Sequence, residues 1–213
     1  MNERILYKVR EIIGEIFWKK KVQSDMRKNI KNKDFTIISS NCIGGMLYND
    51  LGLKFLSPTI NLFFTANDFV KFCENLNYYL SIEVDYYGES DSGYPIGILD
   101  DIKLHFVHYK SFEQAKLKWE ERKKRINYEN IFIIATDRDG LTKSLLQRFN
   151  ELKYKKVLFS SKIYNEYDFV VTVSKFNGKE SVGEMTRYCN FKGEKYYQKY
   201  FDFINWLNSN MKE

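Results

Sequence analysis

Four short runs constrain this chain more than any other feature: FTIIS (35–39), IFIIA (131–135), KKVLFSS (155–161) and YDFVVTVS (167–174). Each is too short for a stable helix, rich in β-branched or aromatic residues, and apolar without strict alternation. That pattern suits strands buried on both faces, the habit of parallel sheets. Segments with helical spacing lie between them. Phe69, Phe72, Cys73 and Leu76 share one face of a helix that Thr65 or Asn67 can cap and that runs to about Leu80. Phe112, Ala115, Trp119 and Ile126 define another, opened by Ser111 and Gln114 at capping-box spacing, and Leu145, Leu146 and Phe149 a third. A closing helix is expected from roughly Glu194 to Asn208. Ser81–Tyr86 and Ile102–His108 add strand-like runs, and YYGESDSGYPIG (86–97) reads as a long turn-rich loop suited to a mobile site wall. The expected class is α/β, a mainly parallel sheet of about five to seven strands with helices on both faces.

Length and charge divide the chain unequally. Its 213 residues suit one domain, residues 34–213, preceded by a basic amphipathic helical segment, residues 1–33. That segment holds ten Lys or Arg against four acids, a net +6 that equals the formal charge of the whole chain. The remainder is neutral, which argues against a broad nucleic-acid surface. Ile5, Val9, Ile12, Ile13, Ile16 and Phe17 recur at helical spacing there, so contact with an anionic membrane face or a membrane-bound partner is one expectation. No apolar run reaches the roughly 18 residues of a membrane span. The charged start lacks the features of a secretory signal. Cys42, Cys73 and Cys189 have neither disulfide-framework nor metal-site spacing, so free thiols and a cytoplasmic setting are expected.

In open α/β sheets, ligands gather beyond the carboxyl ends of the strands, and the unusual stretches of this chain follow predicted strands. After the first comes Asn41-Cys42-Ile43-Gly44-Gly45. Cys42 can act as a nucleophile if a base takes its proton, and Gly44 and Gly45 can turn backbone N–H groups toward an oxyanion or phosphate. The alternative is a small core thiol with glycines needed for packing. His105 and His108 are the only histidines. Three apart on one strand they face opposite ways, so His108 is the expected base and His105 the structural histidine. Asp137 and Asp139, in ATDRDGLT, can hold a divalent cation against a diphosphate, or simply favour a helix N-terminus. That string also resembles the DxDG(T) signature of haloacid-dehalogenase phosphatases. Asp100 and Asp101 form a further acidic pair, or a turn. Lys118 and Arg122, four apart on a helix, can grip a phosphate.

Three longer strings, SSNCIGGMLYNDLGLKFLSPTINLF, YPIGILDDIKLHFVHYKSFEQAKLKWEERKKRINYENIF and DRDGLTKSLLQRFNEL, resemble a bacterial family of unknown function whose members are labelled exopolysaccharide biosynthesis proteins. The resemblance runs from about Phe35 to Leu207. It implies a Rossmann-like α/β domain and a role in surface-polysaccharide or capsule assembly, with a sugar or glycan precursor as substrate. The Asn41-Cys42 turn is also similar to that of capsule acyltransferases that use coenzyme A. The expectation is a transferase, moving an acyl group from a coenzyme A thioester through Cys42 and His108. The alternatives are a glycosyl or phosphoryl transferase taking a nucleotide sugar and a divalent metal at Asp137 and Asp139, and a non-catalytic subunit of the glycan assembly machinery.

Overall fold

The computed structural model describes residues 3–209. Its centre is a parallel sheet of four strands, β1 (Thr36–Ser39), β5 (Ile131–Thr136), β6 (Lys155–Ser160) and β7 (Val170–Thr172), in spatial order β1-β5-β6-β7. Successive residues of a strand point to opposite faces, and both faces are apolar. Ile38, Ile133, Ala135 and Leu158 enter one core; Ile37, Phe132, Ile134, Val157 and Phe159 enter the other. The sequence therefore shows no polar alternation because neither face meets water. Fully burying one such side chain contributes about 1.5–3 kcal/mol.

The remaining three strands, β2 (Asp85–Glu89), β3 (Pro95–Leu99) and β4 (Ile102–His105), form a separate antiparallel sheet in the order β2-β3-β4. The expected parallel sheet of five to seven strands is thus four strands among the described residues. The physical reason is connection length: β2, β3 and β4 follow one another through tight turns, and parallel pairing needs a crossover of a dozen residues or more. The expected loop at 86–97 is the β2–β3 hairpin. Its strand signal is diluted by Gly88, at a register shift between Tyr86 and Gly88, and by the turn at Gly93. Strand β4 ends at His105 rather than His108.

On one face of the parallel sheet lie α4 (Ala66–Glu74), α5 (Leu76–Ser81), α6 (Phe112–Lys123), α7 (Lys143–Glu151) and the antiparallel sheet, sharing a core around Phe64, Phe72 and Trp119. On the other lie α3 (Ile43–Leu51), α8 (Tyr196–Tyr200) and α9 (Phe203–Asn208). The single helix expected to run from 65 to 80 is divided at Asn75. The expected closing helix is likewise two, because Asp202 caps α9 through Asn205 N (3.0 Å). The outer edge of β1 is closed by side chains, Ile37 N donating to Tyr48 Oη (3.1 Å) and Ser39 N to Thr59 Oγ1 (3.0 Å). That leaves the edge no ready template for another strand.

The amino-terminal segment is helical: α1 (Glu3–Ile13), a π-helical turn (Gly14–Trp18) and α2 (Lys19–Asn29). Helix α2 is fastened to α3, with Gln23 Nε2 donating to Asp50 Oδ1 (2.9 Å) and Arg27 Nε to Asp50 O (3.1 Å). The buried Asp50 carboxylate also accepts from Lys195 Nζ (2.7 Å), Gln198 Nε2 (3.0 Å) and Tyr197 Oη. One satisfied charge pair therefore ties both ends of the chain to α3. Ile5, Val9, Ile12 and Ile16, by contrast, stay exposed along one side of this segment.

Candidate active site

A crevice of about 790 Å³ opens at the carboxyl ends of β1 and β5. Its floor is the turn between β1 and α3. Asn41 fixes that turn twice: its Oδ1 accepts from Ile43 N (3.2 Å), and its Nδ2 donates to Thr136 Oγ1 (3.1 Å) at the end of β5. Cys42 is the residue that opens α3. Gly44 lets the helix lie directly on β1, since a Cβ there would stand 2.8 Å from Ser39 Cβ and 3.1 Å from Ile37 Cγ2. Gly44 N donates to Ser39 Oγ (3.3 Å), and a Cβ on Gly45 would touch Ile60. Gly44 is thus a close-packing position whose N–H is already engaged, whereas Gly45 meets Ile60 at ordinary contact distance.

Opposite Cys42 stands His108, Nε2 3.3 Å from the sulfur. The thiol comes from the parallel sheet and the imidazole from the segment after the antiparallel one, so something must hold the two sheets together. That strap is Phe63-Phe64. Phe64 N donates to Ser40 O (3.0 Å), while Phe63 pairs with His105 through two backbone hydrogen bonds of 3.0 Å. Beyond β4, Val107 N donates to His105 O and Tyr109 N to Phe106 O, a turn that swings His108 off the strand. The strand expected to carry both histidines ends at His105, and the turn beyond it is what brings His108 to Cys42. His105 instead stacks on Phe63 (4.4 Å between rings), and its Nδ1 has no hydrogen-bond partner among the described residues. Burial holds its pKa below the usual histidine range.

Burial pushes the Cys42 thiol up, the Glu184 carboxylate adds to the effect, and Arg138 opposes it. At rest the sulfur keeps its proton, and S–H can donate to Nε2. Cys73 and Cys189 are buried, so Cys42 is the one thiol open to a crevice.

The acidic turn after β5 divides its work. Asp137 is buried, and both its oxygens are engaged: Oδ2 accepts from Ser160 Oγ (2.9 Å), Ser161 N (2.7 Å) and Ser161 Oγ (3.0 Å), and Oδ1 from Val182 N (2.7 Å). This is an anchor, and it leaves little of the carboxylate free for a cation. Asp139 lines the crevice with a left-handed backbone (φ 60°), its pKa raised by burial of the carboxyl and lowered in turn by Arg138 and His105. Among the described residues no three His, Cys, Asp or Glu side chains gather as a metal site would.

The other expected ligand groups lie elsewhere. Asp100 and Asp101 make the β3–β4 turn, accepting from Tyr78 Oη (2.9 Å), and from Lys71 Nζ (2.6 Å) and Tyr79 Oη (2.7 Å). Lys118 pairs with Glu121 (2.8 Å). Arg122 is 8% exposed and donates to Tyr109 Oη (2.6 Å) and Ile60 O (3.4 Å). Arg122 therefore braces the residue after His108 and does not line the crevice. The wall that sequence reasoning missed is residues 176–187, hung from Asp137 through Val182 and presenting Lys179, Ser181, Glu184 and Arg187 to the crevice. Its sequence, FNGKESVGEMTR, has no periodicity to betray it; the signal was the buried acid that holds it.

Cys42 and His108 thus meet at the carboxyl end of the parallel sheet, next to the charged wall of residues 176–187. Residues 13–208 match the family described as a domain of unknown function (DUF1919), and the chain belongs to that family. It is 34% identical over 188 residues to an uncharacterized protein of Haemophilus influenzae, covering 88% of this chain and 90% of that protein.

Proposed function

We propose that the crevice is the active site of a group-transfer enzyme of surface-polysaccharide assembly, in which Cys42 carries an acyl group to a hydroxyl of a sugar or polyol phosphate. The observation that supports it is the 3.3 Å approach of His108 Nε2 to the sulfur of Cys42, a residue that lines the crevice. Nucleophile and base at hydrogen-bond distance are what covalent acyl transfer requires. His108 takes the Cys42 proton as sulfur attacks the donor carbonyl. The donor's leaving thiolate, of the coenzyme A class, receives that proton and departs, leaving a thioester on Cys42. An acceptor hydroxyl then gives its proton to His108 and attacks the thioester. The acylated product leaves as the proton returns to sulfur. The polysaccharide setting rests on the sequence resemblance. A metal-dependent reaction at Asp137 and Asp139 is the less favoured reading, because Asp137 already serves the wall.

The test is intact-mass analysis and peptide mapping after incubation with short-chain acyl-coenzyme A. An acyl adduct on Cys42 that disappears in Cys42→Ser and forms far more slowly in His108→Ala is expected. No adduct on the wild type with any acyl chain, with or without sugar phosphates, overturns the reading.

We also propose that this enzyme works at an anionic membrane surface, meeting it through the exposed Ile5, Val9, Ile12 and Ile16 of a segment, residues 1–33, whose sequence carries a net +6. No helix among the described residues is long and apolar enough to cross a membrane. Sedimentation with phosphatidylglycerol vesicles but not with phosphatidylcholine ones, lost in Ile12→Asp, is expected. Equal sedimentation of Ile12→Asp and wild type overturns it.

A further inference from the structure

The crevice contains three cations, and their commitments differ. Arg187 is engaged: its Nε holds Glu184 Oε2 at 2.6 Å and its guanidinium lies over the Tyr7 ring at 4.6 Å. Arg138 and Lys179 line the same space, and their side chains make no ion pair or hydrogen bond among the described residues. Their backbones are nonetheless firmly placed. Arg138 directly follows the anchored Asp137. The carbonyl of Lys179 lies 3.0 Å from the Ser161 hydroxyl, which is also 3.0 Å from Asp137 Oδ2. Fixed stems whose charged ends make no hydrogen bond favour an anion, because little backbone order is lost when a ligand arrives, although the Arg138 charge is also felt by Asp139.

The more obvious anion receptor in this fold, the start of α3, is partly filled. The first two N–H groups of α3 are taken, Ile43 N by Asn41 Oδ1 and Gly44 N by Ser39 Oγ. Lys118 and Arg122, the pair the sequence suggests, are engaged with Glu121 and with Tyr109 and Ile60. An anionic substrate group entering the crevice therefore meets Arg138 and Lys179. Around them stand Asp139, Ser181 and Thr186, groups that exchange hydrogen bonds with hydroxyls. A dianion on the two cations and hydroxyls on the others describe a phosphorylated polyol, and 790 Å³ is space for a molecule of that size.

We propose that Arg138 and Lys179 form a phosphate subsite in the Cys42 crevice, which fixes a phosphate monoester or diphosphate of the substrate while its hydroxylated part reaches toward the sulfur. The subsite deepens the function proposed above by naming what orients the substrate, and it rests on that reading only for its catalytic purpose.

The experiment is calorimetric titration of the full chain with glucose 1-phosphate, ADP and glucose. In parallel, each compound is tested for protecting Cys42 from iodoacetamide, read by mass. The phosphorylated compounds bind and protect; glucose does neither. Arg138→Ala with Lys179→Ala weakens binding by about ten- to a hundredfold, the worth of about one charge-assisted hydrogen bond. Lys118→Ala leaves it unchanged. Preference for glucose 1-phosphate assigns the subsite to a sugar phosphate, and preference for ADP to the diphosphate of an activated donor. Absence of binding and protection by both phosphorylated compounds overturns the subsite, as does an equal loss in Lys118→Ala. Cys42→Ser separates this inference from the acyl-transfer reading. Phosphate binding that persists in that variant, with no acyl adduct ever found on the wild type, leaves the subsite standing and removes the transfer.

Discussion

The clearest quantitative consequence concerns Asp137, whose carboxylate accepts four hydrogen bonds, from two serine hydroxyls and two backbone amides. The hydroxyls can turn elsewhere when the acceptor goes, because the Ser161 hydroxyl already has a second acceptor in Lys179 O. The amides of Ser161 and Val182 have no such freedom. Stranding a buried donor costs about 1–3 kcal/mol, so Asp137→Ala should lose roughly 2–6 kcal/mol. That is a large part of the 5–15 kcal/mol of a typical domain. Asp137→Asn is the sharper probe. The amide keeps an oxygen on the Ser160–Ser161 side and turns its NH₂ toward the Val182 N–H, where two donors then face each other. Only the wall tether is broken, at a cost of about 1–3 kcal/mol. Urea unfolding followed by tryptophan fluorescence measures the stability change. Hydrogen exchange at Val182 measures the tether. A variant whose Val182 amide stays as protected as in the wild type, with an unchanged midpoint, refutes the view that Asp137 holds up the crevice wall.

Other consequences follow from single contacts. Gly44→Ala drives a methyl to 2.8 Å from Ser39 Cβ, so about 1–3 kcal/mol should be lost as α3 is forced off β1; a denaturation midpoint equal to wild type contradicts the packing. Glu184→Gln removes a charge that disfavours the Cys42 thiolate, so the iodoacetamide rate profile should move to lower pH; an unmoved profile denies Glu184 any influence on the sulfur. His105 has its pKa depressed by burial and by Lys103, against the pull of Asp68 and Asp139. The unfolded chain therefore binds the proton first, and stability should fall as pH drops below the usual histidine range, down to the lower folded-state pKa. His105→Gln should flatten that part of the stability profile, and an identical slope in the variant assigns the effect elsewhere.

The parallel sheet was legible because strands buried on both faces write their burial directly as IFIIA and VLFS. Of the antiparallel sheet only β4 was legible, from the run at Ile102; β2 and β3 were not, since Gly88 and Gly97 interrupt their pattern and Tyr86 and Tyr87 face solvent. Gly97 is there for contact, a Cβ falling 2.6 Å from Val84, and such a constraint is invisible until the neighbour is known. Cys42 and His108 could be paired from a turn after one strand and the carboxyl end of the run expected at Ile102–His108, though that strand in fact stops at His105. Arg122 could not be assigned, because a basic residue at helical spacing reads the same whether it meets solvent or braces a buried tyrosine. The residue types of Asp137 were informative and their meaning was not: a carboxylate that could serve a cation instead supports a loop forty-five residues away in sequence.

The strap at Phe63-Phe64 has a bearing on how activity is lost. Sulfur and imidazole belong to different sheets, each with its own hydrogen-bond ladder, and only the docking of one sheet on the other brings the pair within 3.3 Å. A chain whose hairpin sheet has shifted can keep the ladder of its parallel sheet and an accessible Cys42, yet it has no base beside the sulfur. Damage to the strap would therefore disarm the site long before the molecule ceased to look folded.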